Sequence, residues 1–253
     1  MKKLLFIILL LASTTAFGQK HKLNVVYIGD SITQGVQLDD PATEAPPAKA
    51  SAWLRKQKGI ANVTFSNNGI SGFTTVDFLP ATNTVFNKAE QAASAFTDKQ
   101  ADLIFSIMLG TNDSAVIGPH GSPVSPGQYH DNLKAIIDRL LQDFPKAKVI
   151  IQLPLWYSPD TYNGAKYLQE GLTRLQSYFP QIKKLVGEYA STDPKHVFES
   201  DAKAFDYFSK NYLTDLIPEQ GRQGTFYLHP NKKGTEALGT FWGKSIYRII
   251  GKN

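Results

Sequence analysis

Residues 22–35 run Lys-Leu-Asn-Val-Val-Tyr-Ile-Gly-Asp-Ser-Ile-Thr-Gln-Gly, and this stretch decides both the fold and the place to look for chemistry. The apolar run that ends at Ile28 predicts a buried strand. Gly29 allows a tight turn, and Ser31 then stands at the start of a predicted helix, whose first N–H groups face any negative charge formed beside it. Ser31 is therefore either a nucleophile or an ordinary helix-capping serine.

Strand-like and helix-like segments alternate through the rest of the chain. The predicted strands are 23–28, 62–66, 101–109, 148–153 and 196–199. The predicted helices are 48–58, 85–96, 126–144, 164–189 and 230–250, with Pro180 breaking or kinking the fourth and Pro230 in the first turn of the last. Segments 37–49 and 117–127 are predicted loops. This alternation predicts a parallel sheet covered by helices on both faces, with ligands bound at the carboxyl ends of the strands.

The first 18 residues have the pattern of a secretory signal peptide. A basic start, Met1-Lys2-Lys3, precedes an apolar run, and Ala16-Phe17-Gly18 offers a small-residue cleavage site. The alternative is an uncleaved anchor, but the run is shorter than the roughly 20 residues that span a membrane. We therefore expect cleavage, a periplasmic or secreted protein, and one catalytic domain over residues 19–253.

Composition excludes several classes of function. The chain has no cysteine, so neither disulfides nor a cysteine-linked lipid anchor is expected. The formal charge of +5 falls to +3 when Lys2 and Lys3 leave with the leader. Because the charge is mild and dispersed and no zinc-ligand spacing occurs, we expect neither a nucleic-acid partner nor a metal.

Three distant segments supply groups that a nucleophilic serine needs. Gly72 follows the second predicted strand and can bring a backbone N–H close to a reacting oxygen. Asn112 follows the third strand and carries a neutral amide donor. His229, before the last helix, has the side chain best suited to take a proton from a serine near pH 7. In a parallel sheet these groups converge with Ser31, which predicts a Ser31–His229 pair beside three oxyanion donors.

The order of these motifs resembles that of the SGNH (GDSL-type) hydrolases. Gly29-Asp30-Ser31 matches the nucleophile block of that family, and Gly72, Asn112 and His229 match its glycine, asparagine and histidine blocks. The resemblance covers nearly the whole mature chain. It implies a flavodoxin-like three-layer α/β/α sandwich with a central, mainly parallel five-stranded sheet, ester hydrolysis, and no metal or organic cofactor.

One position departs from the family pattern. Most members carry an aspartate three residues before the histidine, where this chain has Phe226. There are three alternatives for the group that orients His229. It is a carboxylate elsewhere in the chain, it is a backbone carbonyl, or it is missing because the site is degenerate and the protein binds sugar without catalysis. We favour an active site. The carboxylates that are candidates to orient His229 are Asp215, Glu219, Asp201 and Asp206.

Other polar residues near these motifs are given structural roles. His120 and His130 are predicted to be solvated, and Asp30 and Asp113 to hydrogen-bond their turns, with Asp30 as a helix cap.

The substrate is only indirectly indicated. Trp156, Tyr157 and Tyr162 follow the fourth strand and either stack on a sugar or fill the core. With the export signal, the family resemblance implies a short-chain carbohydrate esterase, and acetyl esters are the expected substrates. The alternatives are a lipase or lysophospholipase and a non-catalytic carbohydrate-binding protein, and the oligomeric state is left open.

Overall fold

The protein is described here by a computed structural model that covers residues 20–118 and 120–251. Its centre is a five-stranded sheet in which all neighbouring strands are parallel, in the order β2-β1-β3-β4-β5. The strands are β1 (His21–Gly29), β2 (Ile60–Gly69), β3 (Asp102–Met108), β4 (Lys148–Ile151) and β5 (Val197–Glu199). The expected flavodoxin-like α/β/α sandwich is confirmed, and each strand overlaps its predicted segment.

Helices cover both faces of the sheet. They are α1 (Ser31–Gln34), α2 (Pro41–Glu44), α3 (Pro46–Arg55), α4 (Phe86–Ala95), α5 (Pro126–Asp143), α6 (Leu168–Thr192), α7 (Lys203–Asp215) and α8 (Lys232–Ile249). Alternate strand residues face opposite layers: Val26 and Ile28 pack with α4, α5 and α6, while Val25 and Tyr27 pack with α3, α7 and α8. The side chains that fill these two layers are almost entirely withdrawn from water, and a third, smaller buried cluster includes Tyr157, Tyr167 and Phe226.

The path of the chain places a crevice at the carboxyl edge of the sheet. The connection from β1 to β2 uses α3 on one face, and the connection from β2 to β3 uses α4 on the other. Strand order therefore reverses at β1, which lies between β2 and β3. Such reversal points leave a crevice at the strand ends, where α/β proteins bind ligands.

Several predicted helix boundaries are wrong. Helix α2 and the start of α3 lie within the segment predicted as a loop, 37–49. Helix α6 begins at Leu168 and continues through Pro180 to Thr192. Pro180 lies on the exposed side of α6, while Tyr178 and Ile182 bury the opposite side, so the packing of that side outweighs the missing hydrogen bond.

The C-terminal part contains elements that the sequence did not suggest. Helix α7 leads into an antiparallel hairpin of β6 (Leu216–Gly221) and β7 (Gly224–Pro230). Pro230 ends β7 and does not enter the last helix, which corrects the first-turn prediction. Asn231 caps α8 instead, because its side chain accepts a hydrogen bond from the N–H of Gly234 at 3.0 Å.

The remaining predictions have mixed outcomes. His120 is partly exposed and pairs with Asp77, but His130, predicted to be solvated, is buried on α5 between Asp131 and Glu188.

The predicted leader, residues 1–18, lies outside the described residues. Within 20–118 and 120–251, no helix is both long and apolar enough to cross a membrane.

Candidate active site

Ser31 is held where the chain turns out of β1 into α1. Asp30 accepts a hydrogen bond from the N–H of Ile32 at 3.0 Å and caps the helix, as predicted. Close packing requires glycine at position 29, since a Cβ there would lie 2.7 Å from the Met108 carbonyl oxygen and 2.0 Å from Thr33 Oγ1. The Ser31 side chain is mostly buried but lines a cavity of about 480 Å³. Its hydroxyl is therefore fixed at the carboxyl edge of the sheet.

His229 connects Ser31 to a carboxylate. Its Nε2 lies 2.9 Å from Ser31 Oγ, and its Nδ1 lies 2.9 Å from Glu219 Oε1. The backbone N–H of His229 donates to the same oxygen at 3.2 Å. Because an ionised carboxylate only accepts hydrogen bonds, Nδ1 carries the proton and Nε2 is left to accept the Ser31 proton. The three side chains thus form a continuous chain of hydrogen bonds.

Glu219 is fixed at both of its oxygens. The Gln37 amide donates to Oε2 at 2.5 Å, and Gln37 itself adopts a left-handed backbone conformation with φ of +69°, which is uncommon outside glycine. Burial acts to raise the pKa of Glu219, but its hydrogen bond with His229 and the His229 charge, together with the Gln37 hydrogen bond, hold that pKa below its ordinary value. The carboxylate therefore stays ionised beside the imidazole.

The other candidate carboxylates are engaged elsewhere. Asp215 is buried and bonds Tyr207 and Lys233 at 2.7 and 2.6 Å. Asp201 pairs with Lys203, and Asp206 is exposed on α7. Among the described residues, Glu219 is the carboxylate in contact with the His229 ring.

The position of Glu219 explains the departure at Phe226. In the hairpin register Glu219 is the direct partner of Phe226. The carboxylate is thus supplied by the strand opposite the one that carries it in the family pattern. A sequence signal was available: Gly221-Arg222-Gln223-Gly224 is a hairpin turn, and counting outward from its centre pairs Glu219 with Phe226.

Gly72 and Asn112 line the same cavity as Ser31 and His229. Gly72 has a φ of +80°, a conformation that suits glycine. Asn112 Nδ2 donates one hydrogen to the Phe73 carbonyl at 2.9 Å, and Asn112 Oδ1 accepts from the Tyr167 hydroxyl at 2.7 Å. The second N–H of the amide is left over from these two bonds. All four predicted site residues are brought together, whereas Tyr167 carried no sequence signal.

Two buried carboxyls stand directly beside these residues. Burial raises the pKa of Asp30 to about 6 and that of Asp113 to about 7. Asp113 Oδ1 accepts from the N–H of Thr75 at 2.9 Å and from its hydroxyl, so it ties the turn after β3 to the turn after β2. The expected turn-bonding roles of both aspartates are confirmed.

Among the described residues, no Asp, Glu, Lys or Arg side chain lines the cavity. Besides Ser31, Asn112 and His229, its polar side chains are those of Ser71, Asn163 and Tyr167, and its apolar ones include Ile117 and Leu228. Trp156, Tyr157 and Tyr162 do not line it: Tyr157 is buried, Trp156 packs on Tyr212, and Tyr162 lies under Arg222. Tyr157 lies in a buried apolar cluster and Trp156 packs against it, whereas Tyr162 belongs to none of the buried clusters. No cluster of metal-binding side chains occurs in the part of the chain that the structure describes.

Comparison with known proteins gives a family match. Residues 27–237 match the model of a family described as GDSL-like lipase/acylhydrolase, a range that includes all four predicted site residues and Glu219. No curated protein gives a significant match to this sequence.

Many solved structures share the fold at low sequence identity. A lipase/acylhydrolase from Enterococcus faecalis is 19% identical with a TM-score of 0.59, and the match covers 88% of this chain and 94% of that one. A carbohydrate acetylesterase from Sinorhizobium meliloti is 19% identical with a TM-score of 0.57, covering 90% and 99%. A catalytic mutant of an acetylxylan esterase from Geobacillus stearothermophilus is 20% identical with a TM-score of 0.57, covering 92% and 95%. At such identities the likeness shows a common fold.

Proposed function

The chain belongs to the GDSL-like lipase/acylhydrolase family, and from that premise we propose that it is a serine esterase with Ser31 as nucleophile, His229 as general base and Glu219 as the carboxylate that orients it. The observation that carries this proposal is the position of His229, 2.9 Å from both Ser31 Oγ and Glu219 Oε1. A serine, an imidazole and a carboxylate bonded in this order are the arrangement that activates a serine for acyl transfer.

The reaction proceeds in two halves. His229 Nε2 takes the Ser31 proton as Oγ attacks the ester carbonyl, and the imidazolium then gives that proton to the leaving alcohol oxygen. This leaves an acyl-serine. A water molecule, deprotonated by the same nitrogen, attacks the acyl carbon, and the carboxylic acid leaves as Ser31 regains its proton. Glu219 holds the Nδ1–H tautomer throughout and stabilises the imidazolium.

The negative charge on the carbonyl oxygen is met by three donors. These are the backbone N–H of Ser31 at the start of α1, the backbone N–H of Gly72 and the remaining amide N–H of Asn112, all at one cavity. The first residue of a helix has no intrahelical acceptor for its N–H, so that group is available to the oxyanion. Loss of one such donor typically costs about 10²–10³ in rate.

For the substrate we propose a short acyl ester, with acetyl groups on a carbohydrate as the favoured case. No Asp, Glu, Lys or Arg side chain among the described residues lines the cavity, which suits an uncharged ester, and the cavity volume of about 480 Å³ is modest. The comparison structures include proteins described as acetylesterases of carbohydrate. We further propose export to the periplasm or the medium, on the strength of the leader-like residues 1–18.

The test is an acyl-length series. We expect kcat/KM on 4-nitrophenyl esters to fall by at least tenfold from acetate to octanoate, with release of acetate from acetylated xylan. A value that rises with chain length would favour a lipase or lysophospholipase instead. Binding of glycans without turnover of any ester would favour the non-catalytic alternative.

A further inference from the structure

The Asn112 side chain is held at both ends of its amide. Its Nδ2 donates to the Phe73 carbonyl at 2.9 Å, and its Oδ1 accepts from the Tyr167 hydroxyl at 2.7 Å. Both Asn112 and Tyr167 are more than nine-tenths buried, at 4% and 3% exposure. In a buried site the loss of either hydrogen bond leaves a polar group without water to replace its partner.

These two bonds together define which way the amide faces. In the opposite orientation Oδ1 would lie against the Phe73 carbonyl oxygen, and acceptor would meet acceptor. Burial raises the pKa of the Tyr167 hydroxyl well above its usual value. The phenol therefore keeps its proton over the working pH range of an esterase and remains a donor to Oδ1.

Tyr167 is itself fixed by unusual backbone geometry. The N–H groups of Tyr167 and Leu168 both donate to the Thr161 carbonyl, at 3.1 and 3.2 Å. Leu168 has a φ of +55°, a left-handed conformation that leucine rarely adopts. Tyr157 packs edge-on against the Tyr167 ring with centroids 5.4 Å apart. Backbone strain of this kind persists where the surrounding structure enforces it, often at functional sites.

We propose that Tyr167 is a positioning residue for ester hydrolysis, acting through Asn112 to aim the free amide N–H into the cavity at the oxyanion. The inference rests on the proposed function of the same site. Tyr167 takes no part in proton transfer and makes no bond to the reacting atoms in this account. Since the oxyanion charge develops in the transition state, its effect falls on kcat and leaves KM little changed.

The test removes the hydroxyl of Tyr167 in one variant and that of Tyr157 in another. Tyr167→Phe keeps the ring and removes the bond to Asn112, and we expect kcat on 4-nitrophenyl acetate to fall about tenfold with KM within twofold. Tyr157→Phe is the matched control, since it removes a buried hydroxyl that bonds Ser114 Oγ at 2.8 Å and does not contact Asn112. We expect its kcat within twofold of wild type. Unfolding temperatures of both variants separate loss of stability from loss of positioning.

A double substitution shows whether Tyr167 acts through Asn112. In an Asn112→Ala background, Tyr167→Phe should cause no further loss of kcat. A full tenfold loss in that background, a change in KM alone, or an unchanged kcat in the single variant would overturn the inference. The proposed function fails separately, if wild-type protein does not turn over ester or if Ser31→Ala retains full activity.

Discussion

Asp113 shows how a single residue couples the site to the stability of the fold. It follows Asn112 directly, is fully buried, and has one carboxyl oxygen without a hydrogen-bond partner among the described residues. Burial raises its pKa from 3.8 to about 7. Between those two values the folded protein retains a proton that the unfolded chain has released. The stability contributed by this proton is present at acid pH and is lost as the pH rises through 7.

We therefore expect Asp113→Asn to gain stability relative to wild type as the pH rises. The amide is isosteric, can accept the Thr75 hydrogen bonds through its oxygen, and carries no charge at any pH. The gain is about 1.4 kcal/mol for each pH unit and stops once the pH exceeds the Asp113 pKa of about 7. The relative gain between pH 5 and pH 8 should therefore be about 3 kcal/mol. Urea unfolding at the two pH values measures it.

The exposed loop residue Asp160 supplies the control for this prediction. Asp160→Asn should change stability by the same small amount at both pH values. An Asp113→Asn effect that is equally independent of pH would show that the buried carboxyl does not carry this proton.

At the scale of elements, the β6–β7 hairpin supplies two of the three side chains in the hydrogen-bonded chain of the site. It carries Glu219 on one strand and His229 on the other, so a single antiparallel pairing positions the imidazole and the carboxylate that is bonded to it. Gly221 lets the hairpin pack closely on the segment beside it, because a Cβ at that position would lie 2.5 Å from the Tyr162 carbonyl oxygen. Because Glu219 on β6 supplies the carboxylate, the chain can carry Phe226, a buried apolar residue, at the position where its family usually has the carboxylate.

This arrangement predicts a large effect of Glu219→Gln on catalysis. The amide keeps the shape of the side chain but loses the charge that holds the Nδ1–H tautomer and stabilises the imidazolium. We expect kcat/KM to fall by about 10²–10⁴, measured on 4-nitrophenyl acetate. Asp206→Asn, an exposed change on α7, should stay within twofold of wild type. Equal activity of the two variants would favour a backbone carbonyl as the group that orients His229.

Elements with strong local patterns were predictable from sequence, and those without were not. The strands β1 and β3 are nearly continuous apolar runs, and α5 repeats Leu133, Ile136 and Leu140 at helical spacing, so tertiary packing had only to agree with local preference. Strand β6 is only six residues long, contains Pro218 and ends in Glu219-Gln220-Gly221, so no continuous apolar run marks it as a strand. Pro180 predicted a break or kink in the helix, but α6 continues through it, because burial of one helix face outweighs the missing hydrogen bond.

At the scale of the whole molecule, the site is assembled by the topology of the sheet. Parallel strands bring the segments after β1, β2 and β3 to one edge, and this is why motif order alone placed Ser31, Gly72 and Asn112 together. The supporting contacts follow no such rule. Gln37 and Glu219 lie 182 residues apart, and Tyr167 and Asn112 lie 55 apart. Such pairs depend on how loops pack on one another, which neither periodicity nor motif spacing encodes.

The central claim is that Ser31 is the activated nucleophile of an esterase. Its most direct test is labelling with a fluorophosphonate, a reagent that attaches covalently to activated serines, followed by peptide mass spectrometry and residual-activity assays. We predict one adduct per chain, on the peptide that contains Ser31, with hydrolysis of 4-nitrophenyl acetate lost in proportion to labelling and no adduct in Ser31→Ala. Undiminished hydrolysis by Ser31→Ala, or by protein labelled to completion at Ser31, would contradict the account.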